Sequence, residues 1–193
     1  SKYKRNTWET SVLSKRIISW ILNADIILNN GFFDFKRNFL TSIVVQANHL
    51  KKNIKFEKDY SKKLEILVAL LLTGLVFKEY EDNYEIALKG LENLVKDFFD
   101  EDGFPKTRNP SDLIFFTKYL TICKESIKDA QKYMPEFLDD IVNKNLACIK
   151  NIQTPNNHLP LFNGGIEEDL KRFDKFIDEN EFKTHGTEKN IGG

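Results

Sequence analysis

The chain has 193 residues and a formal net charge of zero, 29 basic side chains matching 29 acidic ones, which disfavours a dedicated nucleic-acid binder because such proteins normally carry a basic excess. Hydrophobic residues at 41% and aromatics at 12% suffice for a core and argue against wholesale disorder, while only 9 Gly and 5 Pro disfavour a turn-rich sandwich or barrel. Cys123 and Cys148 define neither a disulfide framework nor a metal site.

Apolar periodicity places one helix after another. The first is predicted over 8–29, with Asn6 as cap, Glu9 reaching back as in a capping box, and Gly31 as the left-handed residue past its end. Val12, Leu13, Ile17, Trp20, Ile21 and Leu28 follow its apolar repeat. The second covers 34–54, with Phe35, Phe39, Ile43 and Ala47 on one stripe. The third, 61–78, is apolar nearly all round from Ile66 to Phe77 and must be enclosed on most sides. That run, about a dozen residues, is too short to span a bilayer.

Asp82 and Glu85 predict a capping box for a fourth helix over 82–99. The segment Asp100-Glu101-Asp102-Gly103 breaks the pattern, and Asn109-Pro110 opens a fifth helix with Asn as cap and Pro at the first helical position. Pro135 opens a sixth, 135–152, and 167–180 forms a short seventh. Starts recurring about every 25 residues with short connections favour antiparallel hairpins of neighbouring helices. The expected fold is therefore all-α. Residues 1–180 form one incomplete helical domain, and the polar stretch 181–193 is expected to be a linker toward a further C-terminal region.

Three segments carry a family resemblance. Trp8-Glu9 precedes Ser14-Lys15-Arg16-Ile17-Ile18-Ser19-Trp20-Ile21. Asp102-Gly103 is followed, after four residues, by Arg108-Asn109-Pro110. Leu159-Pro160-Leu161-Phe162-Asn163 forms a turn, and Gln46-Ala47 with Leu50 and Gly74-Leu75-Val76-Phe77 fall between in matching order. Over residues 8–165 this arrangement resembles the N-terminal region of the heparinase II/III-type polysaccharide lyases. The resemblance implies part of an (α/α) toroid, a C-terminal β-domain of the same chain, and β-elimination on uronate-containing polysaccharide.

That elimination needs the uronate carboxylate neutralised, a base at C5 and an acid at the leaving oxygen. In the family these come from Asn-His and Tyr-His pairs. The aligned positions here hold Ser61-Lys62 and Asp112-Leu113, so the usual acid/base groups are absent. The catalytic residues are therefore left unassigned.

The substrate-binding candidates are Trp8 and Trp20 for stacking on sugar rings, Arg16 for a carboxylate, Lys62 and Arg108 as further cations, and Asn163 in the turn. Each has a bland alternative: a core tryptophan, an ion-paired cation, a loop-pinning hydrogen bond. His49, His158 and His185 lack partners at metal or triad spacing, and no motif calls for a cofactor or metal. His158 alone is expected near a cleft. Three functions stay open: an acidic-glycan lyase, a relative that binds the glycan without cleaving it, and a helical scaffold for a protein partner.

Overall fold

A computed structural model describes residues 8–29 and 31–152. Asn163, His158, His185, the helix expected over 167–180 and the linker lie outside the described residues. Seven α-helices occur among the described residues: α1 (Thr10–Leu22), α2 (Ala24–Asn29), α3 (Phe33–Asn53), α4 (Tyr60–Val76), α5 (Glu81–Phe98), α6 (Pro110–Asp129) and α7 (Glu136–Ile152). Short 3₁₀ turns, Ile54–Phe56 and Lys78–Tyr80, precede α4 and α5. The only β feature described is an isolated antiparallel bridge between Phe99 and Pro105. The fold is all-α.

The described residues fall into two compact units, one comprising 8–97 with Ile122–Met134, the other Phe98–Thr121 with 135–152. In the first, α1, α3 and α4 pack on one another. Their shared core is made by Leu13 and Ile17 of α1, Ile43, Ala47 and Leu50 of α3, and an unbroken buried run from Leu64 to Gly74 on α4. That run matches the enclosure its all-round apolarity demands.

Two glycines let α4 and α5 approach closely. A Cβ on Gly74 would overlap the backbone of Tyr84, and one on Gly90 would overlap the Leu67 side chain. Stepping back from Gly74 to Leu67 advances the partner from Tyr84 to Gly90, so these helices form an antiparallel hairpin. α5 offers Tyr84, Ala87, Leu91 and Leu94 as its buried stripe.

Several expected boundaries are corrected. The first helix breaks at Asn23, whose backbone departs from helical values at φ −110° and ψ 18° and whose side-chain amide and backbone N–H both donate to the Ser19 carbonyl, at 2.8 and 3.1 Å. Its start also differs: α1 begins at Thr10 with Glu9 at the cap position and no side-chain capping bond, while Asn6, the expected cap, lies outside the described residues. Gly31 is not left-handed; its missing Cβ makes room for the Phe35 ring, 2.7 Å from where that atom would sit. Asp82 lies inside α5 and pairs with Lys51 instead of capping the helix. Conversely, Asn109 caps α6 through a 3.0 Å bond from the Ser111 amide, as its sequence position predicts.

In the second unit, the buried stripe of α7 is Leu138, Ile141, Val142, Asn145 and Ile149. On α6, Leu113, Phe116 and Leu120 are fully buried, and the Phe98 and Phe116 rings stack at 4.0 Å between centroids. The loop before α6 closes on Gly103, whose φ of +83° favours glycine and whose Cβ position is filled by Lys144. The amide nitrogen of Asn145, oriented to satisfy it, donates to the Gly103 carbonyl at 2.9 Å and to that of Ile141 at 3.0 Å.

Candidate functional site

A cleft of about 350 Å³ opens in the first unit, lined by Trp8, by Arg16 of α1, and by Asn38, Thr41, Ser42, Val45 and Gln46 of α3. Its volume is at the low end for small-molecule sites. The lining arises from simple helical arithmetic. Asn38, Ser42 and Gln46 recur every four residues and share one face of α3, while Phe39, Ile43 and Ala47 recur on the buried face beside it.

Arg16 is held from two sides. Its Nη1 donates to Gln46 Oε1 at 3.1 Å, and its guanidinium carbon lies 5.8 Å from the centre of the Trp20 ring. Gln46 is only 4% exposed, and its amide nitrogen donates to Ser42 Oγ at 2.9 Å and to the Ser42 carbonyl at 3.1 Å. Those two bonds fix which end of the amide faces the arginine. Among the described residues no carboxylate forms an ion pair with Arg16, so its charge meets an amide dipole and an aromatic face. Trp8, 48% exposed, stands edge-on to His49 with 5.3 Å between ring centres. Trp20 is half-buried, tilted against Phe39 at 5.2 Å, and serves as a support for Arg16.

The remaining candidates are accounted for differently. Lys62 pairs with Glu9 at 3.3 Å, and this hydrogen bond and charge raise the lysine pKa above its ordinary value. Ser61 is half-buried in the first turn of α4, whose cap is Asp59, accepting from the Lys62 amide at 3.0 Å. Arg108 lies in the second unit, ion-paired with Asp100 at 2.9 Å and placed 5.8 Å from the Phe104 ring centre. The same Asp100 accepts from the backbone amides of Asp102 and Phe104, so Arg108 completes a loop clamp. Asp112 accepts from Thr107 Oγ1 at 2.7 Å, and Leu113 is fully buried.

Sequence reasoning singled out Trp8 and Arg16 but passed over Asn38, Thr41 and Ser42, and used Gln46 only as part of a motif. The polar four-residue spacing on α3 was the available signal. His158, expected near a cleft, lies outside the described residues; His49 packs against Trp8. A further feature was legible as one carboxylate in an oily run: Glu65, 3% exposed, accepts from Ser11 Oγ at 2.6 Å and pairs with Lys15 at 3.3 Å.

Among the described residues, no group of three or more His, Cys, Asp or Glu side chains could hold a metal ion, and no helix is long and apolar enough to cross a membrane. Comparison of the chain with protein-family models, curated proteins and solved structures finds no match.

Proposed function

We propose that the chain is a heparinase II/III-like helical region, part of an (α/α) toroid, whose α1–α3 cleft binds a uronate-containing glycan. The observation that carries this reading is the Arg16 guanidinium, half-buried in a cleft beside an exposed tryptophan and compensated by a neutral amide rather than a carboxylate. Tryptophan stacks on the apolar face of a sugar ring, arginine grips a carboxylate with two parallel N–H donors, and amides and hydroxyls reach sugar hydroxyls. All these groups line one cleft.

The same lining favours binding over β-elimination. None of its seven described side chains is a histidine, tyrosine, lysine or carboxylic acid that could carry a proton. At the positions aligned with the family's acid/base pairs stand Ser61, a Lys62 tied to Glu9, a hydrogen-bonded Asp112 and a buried Leu113.

A helical scaffold for a protein partner is the second reading, favoured by Ile26, Phe32 and Phe33, which are 74%, 88% and 78% exposed. Titration calorimetry with uronate oligosaccharides, run beside an absorbance assay for unsaturated uronate product, separates the three. Heat without product supports binding, heat with product supports a lyase, and neither with any uronate leaves the scaffold reading.

A further inference from the structure

Resting on that glycan reading, we infer that the cleft selects a sugar bearing a single carboxylate and discriminates against sulfated glycans, because Gln46 holds Arg16, a cation with no carboxylate partner among the described residues, in a fixed pose and the paired cations around it are already neutralised. Among the described residues, Arg16 is the one ionisable side chain lining the cleft. On the neighbouring helix surfaces, Lys15 is paired with Glu65, Lys62 with Glu9, and Arg37 with Asp34, each at 3.3 Å. A sulfated glycan brings several charges per repeat and needs several free cations to offset the cost of stripping their hydration.

Gln46 is the residue that sets this selectivity. Because Ser42 takes both donors of its amide group, Gln46 presents an acceptor to Arg16. That acceptor satisfies one guanidinium N–H and adds no negative charge. A guanidinium has five N–H donors, so a donor pair is left for a bidentate carboxylate. A glutamate at this position would occupy and neutralise the arginine; the amide orients it and leaves the charge available. Gln46 is thus a positioning residue that acts through Arg16.

The test uses the whole chain and three probes: trigalacturonate, its fully methyl-esterified form, and a heparin tetrasaccharide, each titrated calorimetrically at low and moderate salt. Trigalacturonate is expected to bind at least about tenfold tighter than the ester, a margin suited to one well-placed charge pair. Its affinity should fall with salt as for a single ion pair, and heparin should bind no more tightly. Gln46→Glu should erase the preference for the acid over the ester. Arg16→Gln, which keeps an amide–amide contact with Gln46, should do the same and serves if the first variant does not fold. The inference is overturned if acid and ester bind the parent chain equally, or if heparin binds tighter with a steeper salt dependence. Either result leaves glycan binding intact. If none of the three binds, the glycan reading itself fails and this inference with it.

Discussion

Arg16 and Arg108 illustrate how differently the two units treat a cation. Both were candidates for holding an anion, both are near an aromatic ring at 5.8 Å, and both donate to a side-chain oxygen within ordinary hydrogen-bond distance. The oxygen differs. Arg108 meets the Asp100 carboxylate, which also gathers the amides of Asp102 and Phe104, so its charge is spent on closing a loop. Arg16 meets a neutral amide, and no carboxylate among the described residues pairs with it. Proximity to a helix N-terminus or a ring does not make a cation available; the charge of its nearest partner does.

Four substitutions would break or sharpen that contrast. Arg16→Ala is expected to weaken uronate binding by about a hundredfold, near 2.7 kcal/mol, the scale of charge-assisted hydrogen bonds to a desolvated ligand. Thermal unfolding of the same variant should show about 1 kcal/mol lost at most, the cost of leaving Gln46 Oε1 without its donor. Undiminished binding would remove the cleft from consideration.

Asn145→Ala works in the other unit. It strands the Gly103 carbonyl beneath α7 and should cost about 2 kcal/mol in chemical denaturation, with uronate affinity of the folded variant unchanged. For Arg108→Ala the expectation is about 0.5–1 kcal/mol of stability and no change in affinity, since its ion pair is partly exposed. A large affinity loss there would reverse the assignment of the two arginines. Lys62→Ala should change uronate affinity by less than about twofold, because Glu9 already screens the lysine from an incoming anion. A tenfold effect, read by the same titration, would bring Lys62 into the site.

Much of the helical framework was readable because it depends on local chemistry. Asn109-Pro110 marks a helix start through cap geometry and the missing proline N–H, Pro135 stands immediately before the first residue of α7, and the uninterrupted apolar run of α4 demands burial wherever it lies. What escaped was set by single-residue backbone departures or by partners distant in sequence. Asn23 ends α1 where its backbone leaves the helical region and its side chain joins its own N–H on the Ser19 carbonyl, a local event that periodicity does not register. Glu9 reads as a capping-box residue, but it stands at the cap position itself and pairs with Lys62, far along the chain. The site was half legible. Trp8 and Arg16 stand out as residue types, but the α3 face that completes the cleft is made of amides and hydroxyls that any solvated helix carries. Their significance depends on α3 packing beside α1, which no local pattern encodes.

Glu65 gives α4 something its leucines cannot. A helix that is greasy on every side has little to choose between one rotational setting and the next, since each presents similar aliphatic surface. Turning α4 by a single residue would swing the Glu65 carboxylate away from Ser11 and Lys15 and leave it bare among hydrocarbon, at a cost of several kcal/mol. One acid therefore indexes the whole rod against α1, much as a key locks a shaft to its wheel, and so fixes the angle at which α1 carries Arg16.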